Sequence, residues 1–413
     1  MSTDDFTVEP SEVWDYIETL AQFGKHGETG VWRTVYSPEW FDAQRQIENW
    51  SLAAGLETRW DAVGNVWGRL PGSEGGPAIV SGSHVDSQLP GGRFDGVLGV
   101  ISALLALQLL RERFGTPKRT LELVSFCEEE SSRFATTQHW GSRAIAGAIE
   151  EEHLTSVVSY DGEPIGEVMR AVGLPPERFR DAVRDDIDVF VELHIEQGPI
   201  LEQQGLPVAV VTGISGGRQY RVELNGRADH AGARPMDLRL DPMAGAAEII
   251  SGAINTAHRM GRPAVTTVGQ MFVEPNRPAI VPEQVRFTID ARHPDPESRA
   301  LLYERHEALL RDVAERRELD VSWTHGSEQP PRLSDPALVA LFQETAAEQG
   351  IPFYTMASGA VHDANRMADI ARMVMLFVQS KDGRSHTPDE FTSAEHAALG
   401  VQLLAAGLYK LAY

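Results

Sequence analysis

Tandem glutamates, Glu129 and Glu130, close the apolar stretch Leu121-Glu-Leu-Val-Ser-Phe-Cys127. Four other places carry side chains that bind divalent metals: His84 with Asp86 two positions on, Asp95, His194 and His386. Imidazole and carboxylate together suit a borderline cation such as Zn²⁺. Three histidines, Asp95 and one glutamate are too many ligands for a single tetrahedral site, and they fit two ions that share an aspartate. That leaves Glu129 as a base. Asp86 lies in reach of the second ring nitrogen of His84, where a carboxylate would fix the imidazole tautomer and raise its basicity. Asp95 sits in Gly91-Gly-Arg-Phe-Asp-Gly96, whose glycines allow the sharp turn that would present a bridging carboxylate.

Such side chains need a rigid frame. Residues 121–127 alternate and are rich in strand formers, and Ala78-Ile-Val-Ser-Gly-Ser83 reads as a short buried strand delivering His84. Asp188 to Leu193 leads to His194 in the same way, and Arg372 to Val378 precedes the loop Gly383-Arg-Ser-His386. In open α/β sheets catalytic groups gather just beyond the carboxyl ends of the strands. A single strand-end histidine is most often a hydrogen-bonded structural residue, and Glu-Glu-Glu is most often a solvated charge run. Four strand ends that each deliver a metal-binding side chain outweigh those readings.

The remaining pattern predicts a chain in two parts. Ser11 to Gln22 and Ser37 to Ala54 show helical apolar spacing, the second with Ser37 as N-cap, Pro38 in the first turn and Gly55 beyond the end. An apolar helix covers 97–110, and helical and strand patterns alternate to about residue 212. This predicts an α/β domain with a mostly parallel sheet and helices on its faces. From Arg218 the pattern changes to half-buried antiparallel strands over 220–224, 264–271 and 284–291, with helical runs at 241–258 and 296–316. The boundaries are therefore a discontinuous catalytic domain of residues 1–212 and 330–413, with a smaller α+β domain inserted over 213–329. In the insert, Asp229-His230-Ala-Gly232 reads by itself as a surface loop, and Arg292 as a strand-end arginine whose planar fork suits a carboxylate better than lysine would.

Composition narrows the class. A chain of 413 residues, 42% of them hydrophobic, has ample material for two or three domain cores. Its net charge of −23 repels phosphate backbones and anionic membranes, so neither nucleic acid nor membrane is an expected partner. Cys127 is the only cysteine, no apolar run is long enough to span a bilayer, and Met-Ser-Thr-Asp-Asp is unlike a targeting peptide. The expected compartment is the cytoplasm.

The segments Gly82-Ser-His-Val-Asp-Ser87, Gly92-Arg-Phe-Asp-Gly96, Glu128-Glu-Glu-Ser-Ser-Arg-Phe134, Glu192-Leu-His-Ile-Glu-Gln-Gly-Pro199, Ala228-Asp-His-Ala-Gly232 and Ser385-His-Thr-Pro388 resemble the hydantoinase/carbamoylase family of dizinc amidohydrolases. That family includes N-carbamoyl-L-amino acid hydrolases, β-ureidopropionases and allantoate amidohydrolases. The resemblance implies a dizinc exopeptidase-like catalytic domain, with His84, Asp95 and His194 around one metal and Asp95, Glu130 and His386 around the other. It implies Glu129 as general base, His230 at the oxyanion, Arg292 at the substrate carboxylate and Gln197 beside the substrate. The inserted domain is then a lid that also mediates a homodimer. Two divalent ions, Zn²⁺ with Mn²⁺ or Co²⁺ as alternatives, would activate water for attack on a small N-substituted amino acid.

Alternatives within the class are a ureide hydrolase acting on allantoate and an amidase for larger N-acyl amino acids. Outside it stands a binding protein on the same scaffold, which would be expected to have lost ligands or base. Ala279 stands where many relatives carry asparagine, and Val361 and Ser131 where glycine is usual, so drifted substrate specificity is expected.

Overall fold

Strands Ala78–His84, Leu121–Phe126, Ile187–Ile195 and Arg372–Val378 lie parallel at the centre of one sheet, in the spatial order 121–126, 78–84, 187–195, 372–378. Every residue in them is buried except Asp188 and Arg372, which pair with each other at 2.8 Å where their strands begin. Burial on both faces explains why these strands read as apolar runs. The alternation in 121–126 has another origin: Glu122 points into a buried environment and is satisfied by Arg184 at 2.9 Å. Antiparallel strands Val66–Leu70 and Glu57–Trp60 extend one side and Val208–Ile214 the other. The sheet is thus parallel at its centre and antiparallel at its margins.

This computed structural model describes residues 3–137 and 139–413, and the chain divides into two units. The larger comprises the residues up to Thr212 with Ser334–Met356 and Ala360–Tyr413. Helix Val97–Phe114 is buried without interruption from Val97 to Leu107, as expected of a helix that is apolar all round, and it packs against the sheet and helix Ala394–Ala412. Helix Pro38–Ala53 begins where the sequence predicts, with the Ser37 hydroxyl accepting the Trp40 N–H. Such a cap contributes about 0.5–2 kcal/mol.

The second unit comprises Gly213–Leu333 with Ala357–Gly359. Its antiparallel sheet is built on Gly216–Asn225, Gln284–His293 and Asp320–Gln329. Alternation puts Tyr220, Val222, Leu224, Val285, Phe287 and Ile289 on one face, where helices Pro242–Met260 and Pro296–Arg316 cover them. Residues 264–271, expected as one strand, form two: Val265–Thr267 and Met271–Glu274. Both pair with Gln284–His293, but Thr267 faces Asp290 and Met271 faces Phe287, so one extra residue bulges between them. Asp229–His230 also departs from the expected loop, pairing as a short strand with Ile280–Val281.

Candidate metal centre

Because the four central strands run in the same direction, their carboxyl ends lie along one edge of the sheet. His84 is the last residue of its strand and His194 the last but one, while Glu129, Glu130 and His386 follow their strands in loops. Asp95 stands between two groups of side chains. Its Oδ1 is 3.1 Å from His194 Nε2 and 3.8 Å from His84 Nε2. Its Oδ2 is 3.3 Å from His386 Nε2, which is itself 3.4 Å from Glu130 Oε2. Ligand atoms of His84, Asp95 and His194 converge as one potential metal set, and those of Asp95, Glu130 and His386 as a second.

A third set, Glu192, His194 and His362, is equally close in space. Its carboxylate is already committed: Glu192 Oε1 accepts from Ser83 Oγ at 2.7 Å and Oε2 from the Ala364 N–H at 2.8 Å. A cation there would have to compete with at least one of these donors for the carboxylate.

Backbone carbonyls orient the two buried imidazoles. His84 Nδ1 is 3.1 Å from Asp86 O and His194 Nδ1 is 3.0 Å from Ile195 O, an arrangement that assigns the proton to Nδ1 and turns Nε2 towards Asp95. The Asp86 carbonyl makes the closer contact with the His84 ring, and the Asp86 carboxylate stays within ion-pair range of the same nitrogen. The carboxylate stands off at 3.6 Å because it accepts the N–H groups of Glu129 and Glu130, at 3.2 and 3.0 Å. Asp86 fixes the turn that carries the tandem glutamates.

Electrostatics favour a cation. Burial, reinforced by Asp95 and neighbouring carboxylates, raises both Glu129 and Glu130 well above the usual carboxyl range. Burial would also raise Asp95, but hydrogen bonding with His194 and His386 holds it well below that range. Although burial opposes it, the Asp95 carboxylate pushes His194 up to about 10. Crowded buried carboxyl groups that resist ionisation, with imidazole Nε2 atoms facing them, are a donor set whose charge divalent cations would balance.

Several non-glycine residues here adopt left-handed backbone: Glu128 (φ 51°), Ser131 (φ 52°), Gln197 (φ 56°) and His386 (φ 57°). Each such conformation costs on the order of 1–3 kcal/mol. At Glu128 the cost is partly offset by its carboxylate accepting the Phe134 N–H at 3.1 Å. Gly96 also has positive φ (67°), and a Cβ there would lie 2.5 Å from ring atoms of His84. Gly96→Ala is therefore expected to push the His84 imidazole aside and lower bound metal per chain while the fold persists. Elemental analysis beside circular dichroism checks this, and a normal metal content would contradict it.

The other expected site residues take distinct places. Gln197 lies against the cluster, with Nε2 2.9 Å from Asp95 Oδ2, and its Oε1 has no hydrogen-bond partner among the described residues. In the second unit, His230 is exposed and its Nδ1 accepts the N–H groups of Gly232 and Ala233, each at 3.0 Å. Arg292 is not a free fork: Nε and Nη2 bind Asp290 at 2.7 and 3.3 Å, and Nη1 donates to Gly359 O at 3.1 Å.

Sequence reasoning missed four neighbours. Gln88 donates to Glu130 Oε2 at 2.9 Å, and Glu390 accepts the N–H groups of Phe94 and Asp95 at 3.0 and 2.9 Å. His362 packs edge-on against His194 with 4.5 Å between ring centres, and His139 lies beside Glu129. Two of them carried a usable signal: Glu390 lies four residues after His386, and His362 directly follows Val361. Gln88 and His139 lie outside the segments that read as part of the site.

A family model described as peptidase family M20/M25/M40 matches residues 82–410. The chain belongs to this family. Within M20 it shares 40% identity with an allantoate amidohydrolase of Bacillus subtilis (strain 168), over 98% of each protein. It shares 35% with an N-carbamoyl-L-amino acid amidohydrolase of Geobacillus stearothermophilus, over 98% of this chain and 99% of that one. Among solved structures, a hydantoinase/carbamoylase family amidase from Burkholderia multivorans matches with a TM-score of 0.91 and 32% identity, over 98% of each chain. This M20 chain is an enzyme of the amidohydrolase type, and the family inferred from its motifs is the family found.

Proposed function

We propose that this enzyme hydrolyses the C–N amide or ureido bond of an N-carbamoyl or related N-acyl amino acid. His84, Asp95 and His194 would hold one divalent cation and Asp95, Glu130 and His386 a second, Zn²⁺ first among candidates with Mn²⁺ and Co²⁺ behind it. The observation that carries this reading is the division of the Asp95 carboxylate, one oxygen facing each ligand set. Bound there, two cations would supply water of lowered pKa and polarise the scissile carbonyl. Glu129 takes the proton of the attacking water and returns it to the leaving nitrogen. For an N-carbamoyl amino acid the products are the amino acid, ammonia and carbon dioxide.

The family resemblance supports His230 as the oxyanion donor, with Nδ1 already committed to backbone N–H groups and Nε2 left to donate. It likewise supports Arg292 at the substrate carboxylate, Gln197 beside the substrate, and the second unit, 213–329 as read from the sequence, as a lid and dimerisation domain. Among the described residues no helix is long and apolar enough to cross a membrane. A cytoplasmic homodimer is part of the same reading. A binding protein on this scaffold is disfavoured because the ligand sets and the base are complete.

Relatives of this chain include both allantoate and N-carbamoyl-L-amino acid amidohydrolases, so side chains particular to this sequence must decide between the substrates. Ala279 offers no side-chain amide; its backbone carbonyl accepts the Ala231 N–H at 3.0 Å in the segment paired with His230. Val361 adds branched volume where glycine is usual in relatives. A missing polar contact costs about 1–3 kcal/mol when its partner stays buried, enough to reorder substrates. We therefore expect kcat/KM for N-carbamoyl derivatives of apolar amino acids to exceed that for allantoate in the metal-loaded enzyme. Arg292→Lys should raise KM for the carboxylated substrates about tenfold or more, the value of one charge-assisted hydrogen bond, without changing metal content. Allantoate clearly ahead would overturn the reading of Ala279 and Val361. An unchanged KM would remove Arg292 from the substrate.

A further inference from the structure

We propose that His139 is a positioning residue for Glu129: its Nδ1–H holds Glu129 Oε1, so that Oε2 is the oxygen left to carry the proton. The inference rests on Glu129 being the general base. His139 Nδ1 lies 3.2 Å from Glu129 Oε1, while Glu129 Oε2 lies 3.7 Å from Nε2 of His84, a proposed metal ligand. The two oxygens of the base therefore face different partners. At 3.2 Å the first contact has hydrogen-bonding distance without hydrogen-bonding direction, and Nδ1 has no hydrogen-bond partner among the described residues. His139 is only 8% exposed, so water does not readily take that place. With the ring proton placed on Nδ1, that donor is buried and unpaired, which is costly, and rotation of the ring towards Oε1 removes the cost.

The backbone points the same way. His139 has φ 66° and ψ 62°, a left-handed conformation that histidine adopts only when its surroundings enforce it. Here the enforcement comes from the segment that carries the base. Trp140 N–H donates to Glu128 O at 3.0 Å and Gly141 N–H to Cys127 O at 2.8 Å, so the residues after His139 are bonded to the two residues before Glu129. Ser142 Oγ donates to Asp363 Oδ1 at 2.6 Å and anchors the short helix Trp140–Ile145 from behind. Burial, with Arg366 nearby, pushes the His139 imidazole down to about 4, so it is neutral and carries a single N–H. A neutral donor restrains a carboxylate without the charge that would quench its basicity.

Three substitutions separate this from a packing role, with Glu129→Gln as reference. Asparagine tolerates left-handed backbone, and its Nδ2 stands where the histidine Nδ1 stands; the glutamine amide reaches the Nε2 position instead. Glycine relieves the backbone and offers no donor. We expect His139→Gly to stay folded with its metal content unchanged, to hold KM within about twofold, and to lose kcat by about 10–100-fold, as slight misplacement of a catalytic group does. His139→Gln should behave like glycine, and His139→Asn should recover most of the lost kcat. Wild-type kcat in His139→Gly, a loss carried by KM, or asparagine no better than glutamine would each overturn the proposal. If Glu129→Gln is itself fully active, the base assignment falls and this inference falls with it. If Glu129→Gln is inactive while His139→Gly turns over normally, only the inference on His139 fails.

Discussion

Glu129→Gln should lower kcat by about 10²–10⁴-fold, the usual worth of a positioned proton acceptor, while leaving metal bound as in the parent enzyme. The carboxamide keeps the shape of the side chain and cannot take a proton. Glu129 belongs to neither converging ligand set, so its loss should not empty the centre. Glu130→Gln should show the opposite pattern. Glu130 Oε2 faces His386 at 3.4 Å, and an amide is a poorer ligand than a carboxylate, so occupancy of that set should fall and activity with it. Steady-state kinetics beside elemental analysis on the two variants decides the matter. Equal metal contents with equal activities would refute the division of labour between adjacent glutamates.

A larger loss is expected at Asp95. Its carboxylate is the one group common to both ligand sets, and it is also the acceptor for Gln197 Nε2 and Ser385 Oγ, each at 2.9 Å. Asp95→Asn keeps the volume but leaves one oxygen where two are needed. Both sets should bind metal poorly, removing the several kcal/mol of transition-state stabilisation that cations supply, on the order of 10³-fold or more in rate. A second readout does not depend on activity. A cation at about 100 times its Kd stabilises a folded protein by about 2.7 kcal/mol, so added Zn²⁺ should raise the melting temperature of the parent and barely move that of Asp95→Asn. An equal thermal shift in both proteins would place the metal elsewhere.

Much of this centre was legible in the sequence because strand ends are local features. His84, His194 and the tandem glutamates each follow an apolar run, and burial of nearly every residue in the four central strands is what makes such runs readable. Helix Pro38–Ala53 was equally plain, since its cap and proline lie within its own sequence. What stayed hidden depends on contacts between distant segments. Asp86 reads as a neighbour of the His84 ring, and the sequence does not reveal that its carboxylate also accepts backbone N–H groups some forty residues away, at Glu129 and Glu130. The bulge between Val265–Thr267 and Met271–Glu274 is set by the partner strand Gln284–His293. His139 enters the site only because its helix is tied to Cys127 and Glu128, and no periodicity reports such a tie.

The central claim is a centre for two metals shared through Asp95, and a metal titration of chelator-treated enzyme tests it most directly. Zn²⁺, Mn²⁺ or Co²⁺ would be added stepwise while bound metal per chain and C–N hydrolysis are measured, with Asp95→Asn alongside. The account predicts no hydrolysis in the metal-free protein, saturation at about two ions per chain with activity restored as the sites fill, and little of either in the variant. Full activity in rigorously metal-free protein, or unaltered binding and turnover in Asp95→Asn, would contradict it.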